Sequence, residues 1–249
     1  MTAPETLEGW FALHELRQLD RRTWSGLADS DRDKAAAEAT ALLTAAENLD
    51  DADEGRSVTY WVMGHKADLF TIHLRPEASQ LQELERRFDQ TLLASHTEKV
   101  FSYLSIVEVS RHGAPEGAAE NVESSPYIQS RLYPEIPDYS RFVCFYPMSK
   151  RRGESDNWYL LDAPERGELM RAHGRTGRRY AGKVAQIVTG SMGLDDWEWG
   201  VTLFADDPLQ FKKLIYEMRF DEVSARYAEF GPFFVGQRVA PDDLGQWLR

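Results

Sequence analysis

The feature that most constrains the fold of this 249-residue chain is an order of predicted elements that occurs twice. In the first half, hydrophobic periodicities predict a strand, a helix, two strands, a helix and a strand. After a connecting stretch, the second half repeats that order. A unit of this kind buries its core by covering one face of a sheet with two helices. We therefore predict an α+β fold in which two ferredoxin-like βαββαβ halves form a dimeric α+β barrel within one chain.

The predicted elements also set the boundaries of the halves. The first half, 1–111, has predicted strands over 9–16, 57–64, 69–73 and 100–109, and predicted helices over 29–48 and 79–93. The stretch 112–137 holds Gly, Ser, Pro and Asn and shows little hydrophobic periodicity, so we predict a connecting segment over 112–140. The second half, 141–249, has predicted strands over 142–148, 181–189, 197–204 and 233–239, and predicted helices over 164–172 and 208–226.

Net charge and cysteine content argue against several classes of protein. The formal net charge is -12, whereas a general nucleic-acid surface presents basic residues to phosphates. The one cysteine, Cys144, cannot form an intrachain disulfide, which fits a reducing compartment. The first residues show no export signal, and no apolar stretch is long enough to span a bilayer. We therefore expect a cytoplasmic protein.

A candidate metal ligand stands at the predicted end of the helix over 164–172. Asp162 can cap the start of this helix with Glu165 as its capping partner, and Gly174 can end it in a left-handed conformation. His173 is then held by rigid backbone beside a sharp turn. A proximal histidine can bind haem iron, but a histidine at a helix C-terminus is also favoured by the helix dipole. Taken alone, an isolated histidine favours the second interpretation.

The strand around 142–148 places an unusual set of side chains on one face. Because side chains alternate along a strand, Tyr146, Met148 and Lys150 share a face, about 7 Å apart if the strand continues. A half-buried tyrosine followed by a solvated lysine at a strand end gives the same pattern. From these residues alone, a site and a plain strand end remain equally open.

The segment 141–183 is basic within an acidic chain. It contains ten Lys or Arg and five Asp or Glu residues, a local net charge of +5. Positive charge attracts anionic ligands, and arginine holds carboxylates by charge-assisted bonds. A solvated face is the more common explanation of a charge run. The chain has no Gly-rich phosphate loop, zinc-type Cys/His spacing or Gly-x-Ser-x-Gly motif.

Longer motifs of the second half resemble a known family. They include Cys-Phe-Tyr-Pro-Met-Ser-Lys-Arg-Arg over 144–152, Glu-Leu-Met-Arg-Ala-His-Gly over 168–174 and Leu-Asp-Asp-Trp-Glu-Trp-Gly-Val-Thr-Leu-Phe over 194–204. The match extends from about 130 to 237 and is looser in the first half. On these motifs the chain resembles the coproheme decarboxylases, a branch of the chlorite dismutase superfamily.

The resemblance implies a substrate and a reaction. Iron coproporphyrin III (coproheme) would be both substrate and redox cofactor. Two of its propionates would lose carbon dioxide in two steps driven by hydrogen peroxide, leaving haem b as the product of the last step of coproporphyrin-dependent haem biosynthesis. The family also implies a ring of five identical subunits, and a coproporphyrin ferrochelatase is the candidate partner for substrate delivery.

The resemblance further implies roles for individual residues. His173 would be the axial iron ligand, Tyr146 the tyrosine that becomes a radical, and Lys150 a residue that serves the second reactive propionate. Gln186 would take the distal position, where chlorite-degrading members have arginine, and its neutral amide favours decarboxylation over chlorite dismutase or peroxidase activity. A haem-binding protein without turnover would need only His173 and the arginines. The other implied substrate-binding residues are Met148, Arg219, Ser224 and Arg131, with Arg141 as a rival to Arg131.

Overall fold

A computed structural model of the chain describes residues 3–110, 125–138 and 140–249. Its strands are β1 (Thr6–Leu19), β2 (Arg56–Val62), β3 (Leu69–Arg75), β4 (Thr97–Ser110), β5 (Phe142–Lys150), β6 (Ala185–Gly190), β7 (Trp199–Ala205), β8 (Ala228–Phe230) and β9 (Phe234–Arg238). Its helices are α1 (Arg21–Ser25), α2 (Asp29–Glu47), α3 (Ala78–Asp89), α4 (Pro126–Leu132), α5 (Ala163–Arg178), α6 (Leu209–Met218), α7 (Glu222–Tyr227) and α8 (Leu244–Trp247). Within these described residues, no helix combines the length and the apolar character needed to cross a membrane.

The chain divides into two compact units. The N-terminal unit comprises Trp10–Leu104 and Phe234–Arg249, and the C-terminal unit comprises Ser105–Phe233 with the described part of Met1–Gly9. Both units combine antiparallel strands with helices, which confirms the predicted α+β class. The predicted halves are each continuous along the chain, with boundaries at 111 and 141. The observed N-terminal unit is not continuous, because β9 near the end of the chain pairs with β2 and belongs to it.

The N-terminal unit has the strand order β4-β1-β3-β2-β9. The turn between β2 and β3 needs Gly64, whose φ of 93° lies in the left-handed region. Helix α2 packs against β2, and α3 packs against β3. The apolar positions of these helices, among them Leu43, Leu84 and Phe88, are buried because they recur at the helical period and face the sheet.

The C-terminal unit has the strand order β6-β7-β5-β8. Its first and third strands are therefore central, as in a split βαββαβ unit. The fourth strand predicted for this half, over 233–239, is β9 and belongs to the N-terminal unit, so β8 takes that place instead. Helix α5 contacts both α6 and α7. A second core lies beside these helices, where Trp158, Val223 and Tyr227 are buried and pack against Leu169 and Met170.

Several predicted boundaries of the C-terminal unit are wrong. Helix α5 continues to Arg178, so Gly174 lies inside the helix and does not end it in a left-handed conformation. The single helix predicted over 208–226 is two helices, because Asp221 has an extended backbone and caps a new helix, α7. Helix α4 lies in the segment that we interpreted as a connection, and the short strand β8 was not predicted. The predicted Asp162 cap is present, since its carboxylate accepts from the Glu165 N–H at 2.8 Å.

Candidate functional site

The strand register of the C-terminal unit brings two predicted residues to one sheet face. Tyr146 pairs with Val201, and Val201 pairs with Val188. Directly paired residues of antiparallel strands point to the same side, and side chains alternate along each strand. Gln186, two positions from Val188, therefore shares a face with Tyr146. Strand β5 extends to Lys150, so Met148 and Lys150 lie on that face as well.

Tyr146 lies in an aromatic environment. Its ring is buried and stacks on Phe233 with the ring centroids 4.5 Å apart, and Phe230 lies at 5.8 Å. Burial raises the pKa of the Tyr146 phenol, the neighbouring Cys144 raises it further, and the positive charge of Arg219 opposes both effects. The phenol is therefore neutral across the physiological range. The guanidinium carbon of Arg219 lies 3.7 Å from the centroid of Phe230.

Lys150 is a buried cation at the end of β5. Its ammonium nitrogen lies 4.5 Å from the centroid of the Trp158 ring. Burial lowers the pKa of Lys150 to about 8, although the carboxylates of Asp221 and Glu198 act to raise it. The side chain therefore changes its charge close to neutral pH, which suits a group that binds a carboxylate or transfers a proton.

His173 is oriented by a carboxylate from another helix. Its Nδ1 lies 2.6 Å from Oδ2 of Asp221, and the His173 side chain is 30% exposed, whereas that of Asp221 is 6% exposed. When Nδ1 donates to Asp221, Nε2 carries the lone pair that can bind a metal. Burial acts to raise the pKa of Asp221, but hydrogen bonds from His173 and Ser224 hold it below its ordinary value.

Asp221 is a site residue that sequence reasoning missed. It caps helix α7, accepting from the Ser224 N–H and from the Ser224 hydroxyl, each at 3.3 Å. The signal was present as Asp-x-x-Ser, a pattern typical of a helix start, but it fell inside a predicted continuous helix. The structure thus connects Ser224 to His173 through Asp221.

The chemistry of this group fits an iron porphyrin. A porphyrin supplies four nitrogen ligands, so the protein needs one further axial donor, and a histidine held by a carboxylate is a suitable donor. In the same unit, Lys150 and Arg219 carry positive charge that can hold carboxylates, and the rings of Trp158 and Phe230 lie beside those two cations. His173 contacts Asp221, whose charge acts on Lys150, and the charge of Arg219 acts on Tyr146. Tyr146 and Lys150 lie on the same face of β5.

Gln186 lies at a different feature of the C-terminal unit, whose lining includes neither of the candidate arginines. A cavity of about 550 Å³ in the C-terminal unit is lined by Gln129, Ser130, Tyr133, Pro134, Glu135, Ala185, Gln186, Ile187 and Phe204. Its lining includes Gln186 but not the residues linked to His173. Arg131 is exposed on α4, with its guanidinium 3.4 Å from the Tyr127 hydroxyl. Arg141 forms a salt bridge with Asp206, which makes it the weaker candidate for a propionate.

Comparison with known proteins identifies the family. A family model described as chlorite dismutase matches residues 32–239. The chain belongs to the chlorite dismutase family. One relative is named coproheme decarboxylase, from Thermus thermophilus, and is 48% identical over 243 residues that cover 98% of this chain and 95% of that protein.

Two other relatives of the chain are longer. The chain is 48% identical to proteins of Natronomonas pharaonis and Haloquadratum walsbyi, whose names propose haem binding. The match covers 97% and 98% of this chain, but only 41% and 47% of those proteins. The chain thus spans less than half the length of these two relatives.

Solved structures of the family have the same fold. A structure described as a haem-binding protein from Thermus thermophilus has 47% sequence identity, covers 100% of this chain and 99% of its own, and gives a TM-score of 0.92. A mutant chlorite dismutase from Candidatus Nitrospira defluvii gives a TM-score of 0.76 at 19% identity, covering 98% of this chain and 97% of its own. At that identity the second likeness concerns the fold alone.

Proposed function

We propose that this protein is a coproheme decarboxylase that converts iron coproporphyrin III into haem b with hydrogen peroxide. The observation that carries the proposal is a neutral buried phenol, Tyr146, on the same strand face as Lys150, with the charge of Arg219 acting on it. The same unit holds His173, whose Nδ1 contacts Asp221. An axial donor alone would suit any haem protein. A buried tyrosine beside cations that can bind propionates suits oxidation of those propionates.

The positive side chains of the group would bind and orient the substrate. Coproheme carries four propionates, and a carboxylate that loses its water needs a hydrogen-bonded cation. Arg219 can hold one propionate through a bidentate, charge-assisted contact. The Ser224 hydroxyl, which donates its one proton to Asp221 in the structure, would turn that proton to a propionate oxygen when substrate binds. Met148 offers an apolar, polarisable surface on the sheet face. His173 would fix the ring position through its Nε2.

Tyr146 would supply the group that starts each decarboxylation. Bound coproheme with hydrogen peroxide supplies the oxidising power. The β-carbon of a propionate has no acidic hydrogen, so a proton-transfer base is poorly suited to this step. After loss of an electron and a proton, the Tyr146 phenoxyl can take a hydrogen atom from that carbon. The substrate then loses one more electron and carbon dioxide and becomes a vinyl group. Each step removes two electrons, which one molecule of peroxide accepts as it becomes two of water.

Lys150 would serve the second propionate. Lys150 lies four residues after Tyr146 on the same face of β5. Its pKa of about 8 leaves most molecules protonated at pH 7. A protonated Lys150 can hold the carboxylate until carbon dioxide forms and can then release or accept a proton. We therefore expect Lys150→Ala to accumulate the three-propionate intermediate.

Mass spectrometry of the porphyrin tests this function directly. Purified protein is mixed with coproheme, and hydrogen peroxide is added in steps. We expect the three-propionate intermediate and then haem b, with two equivalents of peroxide consumed. Parallel samples without protein, and with protein but without peroxide, are the controls. Coproheme that binds but remains unchanged would contradict the proposal and favour a haem-binding protein without turnover.

Family membership makes chlorite dismutation the second candidate. We expect chlorite to be a poor substrate, because the neutral Gln186 amide offers a bound anion a hydrogen bond worth about 0.5–1.5 kcal/mol and no charge. An oxygen electrode measures this beside the porphyrin assay. Oxygen release from chlorite at a rate comparable with haem b formation would reverse the order of the two functions.

Assembly, location and partners belong to the same proposal. We propose a closed ring of five subunits in the cytoplasm, with substrate supplied by a coproporphyrin ferrochelatase. Light scattering at several protein concentrations measures the mass of the assembly. A persistent monomer of 28.5 kDa would remove the ring and leave the chemistry untouched.

A further inference from the structure

A buried carboxylate, Glu198, holds the end of the strand that carries Lys150, and the proposed function gives it no role. Glu198 is 7% exposed. Its Oε2 accepts from the backbone N–H of Lys150 at 2.7 Å, and its Oε1 lies 3.4 Å from Nη1 of Arg152. Its own backbone N–H donates to the Met148 carbonyl at 3.1 Å and to the Ser149 hydroxyl at 3.3 Å. Glu198 therefore holds the residues on both sides of Lys150 as well as Lys150 itself.

The charges around Lys150 come from three segments of the C-terminal unit. Asp221 stands at the start of α7, Glu198 directly precedes β7, and both act to raise the pKa of Lys150 against the effect of burial. Arg152 contacts the far oxygen of Glu198. The Trp158 ring lies under the ammonium, and Tyr159 follows it, with a pKa raised by burial and by Glu198.

Of the two carboxylates, Glu198 is the one that can serve Lys150 independently of the axial histidine. Asp221 accepts from His173 and from Ser224, so its position is shared with the iron site. Glu198 contacts the strand of Lys150 directly. A buried carboxylate is costly unless it is hydrogen-bonded, and one of its oxygens meets that need at the Lys150 backbone.

We propose that Glu198 is a positioning residue that fixes Lys150 in the site and keeps its ammonium group charged. The inference rests on the proposed function for the identity of the bound carboxylate, but the effect of Glu198 on Lys150 is a property of the protein without substrate. Replacement of Glu198 by an isosteric neutral amide removes one negative charge and leaves burial unchanged, so the ammonium form becomes less favourable.

The first experiment measures Lys150 in the substrate-free protein. Lysine Cε signals are followed by ¹³C NMR against pH, and the Lys150 signal is assigned by its loss in Lys150→Arg. We expect Glu198→Gln to lower the Lys150 pKa by about one unit, since the Glu198 carboxylate acts to raise it and a nearby opposite charge has effects of that order. From a starting value of about 8, that shift reduces the charged fraction about threefold at pH 7.5.

A matched control separates this effect from a general loss of negative charge. Glu229 lies opposite Ser149 in the register of β5 and β8, has a side chain that is 58% exposed, and lies 3.8 Å from Arg151. Glu229→Gln makes the same chemical change near the same strand end, and we expect the Lys150 pKa to stay at its wild-type value because water screens that charge. An unchanged pKa in Glu198→Gln, or an equal shift in Glu229→Gln, overturns the inference.

A second variant covers the case in which Glu198→Gln does not fold. Glu198→Asp keeps the negative charge on a side chain that is one methylene shorter. The Lys150 pKa should therefore fall by less than in Glu198→Gln. An unchanged pKa in that variant overturns the inference equally.

The turnover arm distinguishes this inference from the proposed function. The rate of the second decarboxylation is measured against pH, and it should fall at alkaline pH as Lys150 loses its proton. In Glu198→Gln this fall should occur at lower pH, by the same shift that NMR gives for the Lys150 pKa, and the three-propionate intermediate should accumulate at pH 8. In the Lys150→Arg background, Glu198→Gln should not change the pH dependence of the rate of the second decarboxylation. If NMR shows the lower Lys150 pKa but the pH dependence of the second decarboxylation rate is unchanged, the inference stands and the role assigned to Lys150 in the second step is wrong.

Discussion

Three cations of the two units, Arg75, Lys150 and Arg219, have different surroundings. In the N-terminal unit, Arg75 is fully buried and donates to both carboxylate oxygens of Asp51, at 2.8 Å each, and to three backbone carbonyls. In the C-terminal unit, the ammonium of Lys150 and the guanidinium of Arg219 lie over aromatic rings. A cation whose donors are all used stabilises the fold, whereas a cation placed on a ring keeps donors for a ligand.

The histidines of the two units differ in the same sense. In the N-terminal unit, burial lowers the pKa of His73 to about 3, and the charge of Arg75 lowers it further. The pKa of His14 is also lowered to about 3, by burial and by His73. Those two rings stay neutral inside the unit. In the C-terminal unit, His173 is partly exposed and is held by Asp221, so its second nitrogen can bind a metal.

The largest expected effect separates binding from chemistry at Tyr146. Tyr146→Phe keeps the ring on Phe233 and removes the hydroxyl, so the variant should fold and bind coproheme like the wild type. We expect haem b formation to fall more than about a thousandfold, equivalent to about 4 kcal/mol of barrier. A time course of porphyrin masses measures it. Wild-type rate and yield would exclude the radical assignment and direct attention to Trp158 and Trp199.

The next prediction sets one arginine of each unit against the other. Arg75→Leu leaves the Asp51 carboxylate buried and unpaired, which should lower the free energy of unfolding by about 3–5 kcal/mol. Arg219→Leu should change that free energy by less than about 1 kcal/mol and weaken coproheme binding by about 1.5–3 kcal/mol. Urea unfolding and spectroscopic titration measure the two quantities. If both arginines affected stability equally, the contrast between the units would fail.

A third prediction concerns stability at acid pH, which should depend on the two buried histidines of the N-terminal unit. The folded-state pKa values of His14 and His73, about 3, lie below the ordinary 6.5. The unfolded chain therefore binds protons that the folded chain does not, and stability present above pH 6.5 is lost as pH falls. Between pH 7.5 and pH 5 each histidine should cost about 2 kcal/mol. Urea unfolding of wild type and His14→Gln at both pH values tests this, because the variant should lose about half of the pH dependence.

The smallest effect is expected at Asp221, the carboxylate that holds His173, the proposed axial ligand. Asp221→Asn keeps the shape of the α7 cap but weakens the bond to His173. Loss of such an outer-shell partner typically costs 10–100-fold in metal affinity, about 1.4–2.7 kcal/mol. Competition between the protein and an apo-haem acceptor measures the affinity for coproheme. In contrast to Arg75→Leu, the change should leave unfolding nearly unaffected, and an unchanged affinity would remove Asp221 from the iron site.

Local patterns account for the parts of the molecule that the sequence predicted well. A period of two along 142–148 placed Tyr146, Met148 and Lys150 on one face, and strand β5 has them so. The Asp162 cap depends on residues three positions apart, and it is present. The end of the α5 helix was wrong because Gly174 permits a helix end without requiring one, and packing against α6 and α7 continues the helix to Arg178.

The sequence by itself determined most of the order of the elements, the shared face of β5 and the presence of a histidine on α5, because each depends on neighbours within one or two turns or on strand alternation. Only the tertiary structure decided what these residues touch. Asp221 reaches His173, and Glu198 reaches Lys150, each across 48 positions of the chain. Such partners are chosen by how helices and strands pack, and no local period records that choice. The roles of Asp221 and Glu198 therefore emerge only once the chain has folded.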